Sequence, residues 1–245
     1  MDSLIHSKEN FYFKLSLVIS VLIYILLVIS LVGIVYIVLG IIISFIAHGL
    51  FVGNIKGNGI KLSETQFPEV YQLSKEIASK MGLEVVPDIY IIQSGGMINA
   101  FATKFLGRSF VVLYSDVFEL AYRQGEAELA FIICHEFAHL KRKHVSRKVL
   151  LFPSMFVPFL AQAYSRACEY TCDNFASYYQ TTGAENGLLI LAIGKKLYEK
   201  VNVQQYIKQA ESDGGFWVRF SELLATHPNL PKRVSNIQRY IQAKE

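Results

Sequence analysis

Thirty-eight consecutive residues, Leu15 to Val52, contain no Asp, Glu, Lys or Arg. At 1.5 Å per residue one helix of that length would extend about 57 Å. The hydrocarbon core of a bilayer is about 30 Å thick and is crossed by about 20 apolar residues. The run is too long for one crossing and just long enough for two. Ser30 and Gly33 lie near its middle and mark a turn. The sequence therefore predicts a short segment, 1–14, followed by a transmembrane helical hairpin over 15–53. One long tilted helix, or one span with an interfacial piece, is the alternative. A cleaved signal peptide fits badly, because its apolar region runs about 7–15 residues and ends at a small-residue cleavage site. Lys8 and Lys14 precede the run, and Lys56 and Lys61 follow it. Positive flanks on both sides suit a hairpin with both ends cytoplasmic. The expectation is a multi-pass protein of the cell membrane, its partner the lipid bilayer and its remaining chain in the cytoplasm. His48, close to the far end of the run, reads as a residue at headgroup level.

Composition narrows the function classes. Charged residues make up 18% of the 245, against about 25% in ordinary soluble domains. The net charge of +4 is concentrated in one octet, Lys141 to Lys148, which holds five Lys and Arg. No general basic field is left for nucleic acid. Three cysteines, Cys134, Cys168 and Cys172, cannot form a fully paired disulfide framework and suit a reducing compartment. A channel or transporter reading fails, because the apolar run lacks pairable charges and paired broken helices.

Beyond the hairpin, Gly53 to Gly59 (GNIKGNG) reads as a linker, and residues 54–245 as a globular domain. Hydrophobic periodicity predicts helices over 69–81, 126–144, 165–179, 187–199 and 231–243. Strands are predicted over 88–93, closed by Ser94-Gly95-Gly96, and over 110–114. The fold class is mainly α with a small β-sheet (α+β) behind a helical hairpin. Val149 to Tyr164 is a second uncharged run, too short and too proline-broken to span a membrane. The basic octet before it favours contact with an anionic membrane surface over burial.

The residues that carry chemistry start with His135-Glu136-Phe137-Ala138-His139. Two histidines four apart on a helix share a face and reach one ion. Glu136 lies beside them, placed to touch a water rather than the metal. The motif falls in an apolar helix, where unpaired His and Glu would be costly to bury. A catalytic zinc needs a third protein ligand and one open position. His144, nine residues beyond His135, falls on the opposite face of a continuous helix and reads as basic surface. Glu169 is the better ligand. Asp173, one turn further on, shares its face and can accept a hydrogen bond from a metal-bound imidazole. Cys168 and Cys172 stand as alternative thiolate donors or as small buried residues.

HEFAH, SRACEYTCD about thirty residues later, and Thr226-His227-Pro228 with Arg233 resemble the membrane zinc metallopeptidases of the HtpX and CAAX prenyl protease type (peptidase family M forty-eight, gluzincins). PDIYIIQSGGMINAFA, residues 87–102, is similar to the strand-plus-NAFA segment of that family. The similar segments span nearly the whole globular part. The combination of HExxH with SRxxExxxD is specific, whereas HExxH alone is shared with many metalloproteases. The chain departs from the family pattern at Cys172, where alanine is common, and at Thr103-Lys104, where Gly or Pro is usual. It also departs after HExxH, where Val149 to Tyr164 occupies a slot that holds a fuller pair of spans in HtpX.

The resemblance implies a zincin-like fold with one zinc ion per chain held by His135, His139 and Glu169. It implies Glu136 as general base, and His227 near the metal, stabilising the oxyanion or serving packing. Arg233 would stabilise the oxyanion or serve packing, and Asn99, Ala100, Phe101 and Ala102 would line a cleft where substrate pairs with a strand edge. The implied activity is zinc-dependent endopeptidase cleavage of protein or peptide substrates in membrane-protein quality control. A narrow-specificity processing peptidase and a non-catalytic membrane adaptor with a structural zinc are the alternatives. The oligomeric state is left open.

Overall fold

The computed structural model describes residues 2–93, 95, 99–119, 125–194 and 196–243. Ser94 and Gly96 of the expected strand break, with Met97 and Ile98 of the 87–102 segment, lie outside the described residues. The charge-free run folds as two helices, α1 (Ser7–Ile29) and α2 (Val32–Asn58). Between them Ser30 Oγ donates to Leu27 O at 2.9 Å and accepts from Gly33 N at 3.0 Å. A Cβ on Gly33 would lie 2.2 Å from Leu27 O, so only glycine lets the chain double back this tightly.

The predicted linker is wrong. GNIKGNG is helical almost to its end, because α2 continues to Asn58. Val52 and Ile55 of α2 are buried against Tyr90, Phe110 and Val112. Burying two such side chains contributes about 1.5–3 kcal/mol each, enough to offset roughly 1 kcal/mol lost at each internal glycine.

The remaining elements are β1 (Ile60–Lys61), α3 (Pro68–Lys80), β2 (Asp88–Ile92), β3 (Ala100–Phe105), β4 (Arg108–Tyr114), α4 (Ser115–Phe118), α5 (Glu126–Lys141), α6 (His144–Leu150), α7 (Leu160–Tyr179), α8 (Ala184–Ile193), α9 (Val203–Ser212), α10 (Phe216–Leu224) and α11 (Leu230–Gln242). The four strands lie in the order β1-β2-β4-β3, with β2 and β4 parallel and both other pairings antiparallel. A mainly helical chain with a small sheet is as expected. β3 was read only as a connecting segment. It forms one edge of the sheet, opposite β1.

Two predicted helices end early. The 126–144 helix stops at Lys141, and Lys143 takes a left-handed conformation at φ 58° before α6 begins. The 187–199 helix stops at Ile193, where Gly194 turns away at φ 85°. The helices α9 and α10 were not read at all. Beneath the sheet, α5 packs between α3, α7 and α8. Leu129, Phe131, Ile133 and Phe137 fill that layer and are almost fully buried. Residues 149–159 lie along α1 with Val149, Phe152, Met155 and Phe156 more than half exposed.

Candidate metal centre

α5 is sealed on all faces from Glu128 to Ala138. His135 and His139 therefore emerge inside the protein, where bare imidazoles are tolerated only if polar groups meet them. α7 supplies those groups. Glu169 divides its carboxylate between the two rings: Oε2 is 3.3 Å from His135 Nε2, and Oε1 is 3.3 Å from His139 Nε2. Asp173, one turn along, places Oδ1 3.0 Å from His135 Nδ1. Arg233 of α11 closes the cluster. Its Nε donates to Asp173 Oδ2 at 2.8 Å and its Nη2 to Oδ1 at 2.7 Å, while Nη1 stands 3.3 Å from Glu169 Oε2.

The electrostatics follow from this geometry. Burial opposes a charged His135, but Asp173 and Glu169 outweigh it and push the ring up to about 10. Burial likewise opposes the carboxylates. Even so, the two imidazoles and Arg233 hold Glu169 well below the usual range, and Arg233 and His135 lower Asp173. The site is a compact array of imidazoles and carboxylates in which Glu169 faces both Nε2 atoms, one oxygen to each ring.

That array fits zinc. Donors about 2.0–2.1 Å from an ion at tetrahedral corners are separated by about 3.3 Å, the distance found from Glu169 to each imidazole. Two imidazoles and one carboxylate also form a donor set that suits zinc with one position left open. Cys172 lies close enough to His135 and His139 to be considered in place of Glu169. Burial and the nearby Glu169 raise its thiol well above the ordinary value. Glu169 faces both Nε2 atoms at once, which makes the carboxylate the better-placed third donor.

His144 corrects the reading of a surface basic residue on the far face of the same helix. The break at Lys143 folds it back, and it is fully buried. Its Nδ1 lies 3.1 Å from His139 Nδ1. For His139 to offer Nε2 to a cation, its Nδ1 must carry the proton and donate to His144. Burial drives His144 down to about 4, so the ring is neutral and able to accept. On its other side His144 Nε2 is 3.3 Å from Glu9 Oε1. Glu9, from α1, also accepts from Arg142 Nη2 at 2.7 Å and Arg147 Nη1 at 3.3 Å. Glu9, His144 and Cys168 together form a second buried trio of potential donors. The two arginines already neutralise Glu9, which removes the charge a second cation would need. No sequence signal pointed to Glu9, which lies more than a hundred residues away from its partners.

The other expected residues fall around this centre. Glu136 follows His135 on α5 and keeps only 7% exposure. Among the described residues no ion pair ties up its carboxylate. His227, in the loop between α10 and α11, is largely exposed, with Nε2 3.5 Å from Glu169 Oε1. Arg233 is nearly buried and bound to Asp173. Ala100, Phe101 and Ala102 lie on β3, and Asn99 just before it accepts from Tyr114 N. β3 packs beside α5 and leaves its outer edge unpaired by any described strand.

Residues 64–157 and 149–241 match the family model described as Peptidase family M48. No curated protein matches the chain. The matched segments cover most of the chain and include both HEFAH on α5 and Glu169 on α7. The chain belongs to peptidase family M48 and is a metallopeptidase of that zinc-dependent family, acting on protein or peptide substrate.

Proposed function

We propose that this protein is a membrane-bound zinc endopeptidase whose metal is held by His135, His139 and Glu169. The observation that carries the proposal is the pair of 3.3 Å separations between the two Nε2 atoms and the Glu169 carboxylate. When bound, zinc supplies Lewis-acid polarisation of the scissile carbonyl and lowers the pKa of the attacking water. Glu136 accepts the proton of that water and returns it to the departing amine. Asp173 orients His135, and Arg233 holds Asp173, so Arg233 acts on the site through the carboxylate it binds. His227, at the exposed mouth, donates to the oxygen on which negative charge develops. Substrate lies extended along the free edge of β3 at Asn99 to Ala102, adding a strand to the sheet.

The hairpin α1–α2 anchors this machinery in the cell membrane, with the catalytic part on the cytoplasmic side. Two apolar helices, each long enough to cross, support the anchor, and the positive charges flanking the run support the cytoplasmic side. An unpaired strand edge accepts extended chain with little regard to sequence, which favours degradation of misfolded membrane proteins over trimming of one defined tail. The test is zinc content and casein cleavage of the detergent-purified chain beside its Glu136→Gln twin. Glu136→Gln is expected to keep about one zinc and to lose about 10²–10⁴-fold in rate. A twin that still cleaves removes Glu136 from the mechanism. Glu169→Ala retaining stoichiometric zinc removes the carboxylate from the ligand set.

A further inference from the structure

Helix α1 serves as a depth ruler. Asn174 donates to Leu4 O, and His6 N donates to Thr171. Glu9 meets Arg142 and His144. Arg147 stands over the Phe13 ring, and Tyr164 packs beside it. Ser154 N donates to Ser20 Oγ at 3.2 Å. The chain thus descends along α1 from His144 to Ser154, turns over residues 155–159, and climbs back as α7. Ser20 lies about ten residues before the turn at Ser30, or about 15 Å. Lys14 is the last charge before the apolar run, so the apolar zone begins near Leu15, five residues or about 7.5 Å above Ser20. Ser154 then lies inside the leaflet nearest the peptidase site.

We propose that residues 149–159 form a re-entrant wedge buried in the hydrocarbon of the leaflet nearest the peptidase site, with Phe216 and Trp217 of α10 at its border. The proposal rests on reading α1–α2 as a membrane hairpin. Side-chain exposure supports it: Val149 is 73% exposed, Phe152 52%, Met155 56% and Phe156 76%. No charge occurs between Val149 and Tyr164. Non-helical backbone survives at such depth only when its polar groups are satisfied internally. Here Ser154 N also donates to Leu151 O, Val157 N to Ser154 O, and Ala163 N to Phe159 O. Pro153 and Pro158 bring no N–H that would need a partner.

α10 belongs to the same surface. Arg166 of α7 donates to the carbonyls of Glu222, Leu223 and Ala225 at its C-terminal end. One turn deeper, Phe220 meets Phe159. The opposite end of α10 therefore points along the direction in which α1 descends, and it presents Phe216 and Trp217 at 69% and 76% exposure; exposed Asp213 just before it and Arg219 within it set this end at the border of the apolar zone. Higher up, level with the start of α1, a cavity of about 400 Å³ is lined by Lys8, Arg166, Lys232 and Arg239, with Glu222, paired to Lys232, as its one carboxylate. A basic pocket at that level suits anionic headgroups. Continuity with the hairpin and this charge above the apolar zone select lipid as the occupant.

Trp217 is the sole tryptophan of the chain, which makes the test direct. The full chain is reconstituted in vesicles whose acyl chains carry bromine, and its emission is compared with that in unbrominated vesicles. Severalfold quenching and protection from aqueous iodide are expected. Phe156→Trp in a Trp217→Phe background should behave alike. Emission from either position that ignores bromolipid and yields to iodide overturns the wedge, as does a second copy of the chain shielding Trp217 from both quenchers. Ile25→Trp in the same background reports the hairpin alone. Quenching at 25 without quenching at 156 or 217 removes the wedge and leaves the anchor standing. An unquenched probe at 25 removes the anchor and the wedge with it.

Discussion

Helices α2 and α5 are both apolar on nearly all sides, yet they meet opposite surroundings. From Gly40 to Ile46, α2 exposes every side chain and carries no charge. From Leu129 to Ala138, α5 is enclosed by protein and carries two ionisable groups, His135 and Glu136, at its centre. The difference teaches what apolarity alone leaves open. A uniform apolar helix can face lipid or a core, and the charges placed within it decide which. Inside protein, a second helix can bring carboxylates and an arginine to meet them. On the exposed face of α2 nothing answers, and from Val32 to Ile55 it contains no Asp, Glu, Lys or Arg.

The sharpest way to break this comparison is to strip α5 of its answering charge. Asp173→Ala leaves Arg233 buried without its bidentate partner. Removing one member of a buried pair costs about 3–5 kcal/mol, and the chemical-denaturation midpoint of the zinc-free protein should fall accordingly. An unchanged midpoint would mean that the α7–α11 pairing is not structural. The reverse experiment gives α2 a charge: Ile41→Lys costs about 2.5–3.5 kcal/mol at a bilayer centre. Carbonate extraction should then release the protein, while the zinc content of the folded fraction stays the same. Retention of the variant at wild-type level would argue that this stretch does not sit in hydrocarbon.

A smaller effect tests the packing behind α5. A Cβ at Gly187 of α8 would lie 2.6 Å from the Phe131 ring, so Gly187→Ala should lower stability by about 1–3 kcal/mol without altering zinc stoichiometry. The mildest perturbation is pH. In the zinc-free protein the raised His135 contributes stability that is full below about pH 6.5 and is lost as pH rises toward about 10. The lowered Asp173 and Glu169 contribute stability that is full above about pH 4.5 and is lost as pH falls through their folded values. Zinc must displace the proton on His135, so chelator competition should show tighter binding at pH 8 than at pH 7, by up to about tenfold. Affinity that is flat over this interval would contradict a protonated His135 in the free site.

The hairpin was legible because thirty-eight uncharged residues leave few alternatives, and Ser30 and Gly33 do close it. His135 with His139, and Glu169 with Asp173, were legible as pairs because helical spacing fixes which residues of one helix share a face. What escaped was tertiary in origin. Nothing in Lys141-Arg142-Lys143 announces a left-handed residue, so His144 was assigned to the wrong side. GNIKGNG has the composition of a loop, and only contact with Tyr90 and Phe110 makes it helix. In β3 the sequence AFATKF alternates too weakly to declare a strand until β4 pairs with it. α10 owes its place to Arg166, fifty residues away.

Glu9 ties the first apolar helix to the floor of the metal centre through His144 and His139. Pruning that helix would strand Arg142, Arg147 and His144 together, and His139 would lose the ring that braces its Nδ1. In this architecture the first helix is a structural part of the metal centre.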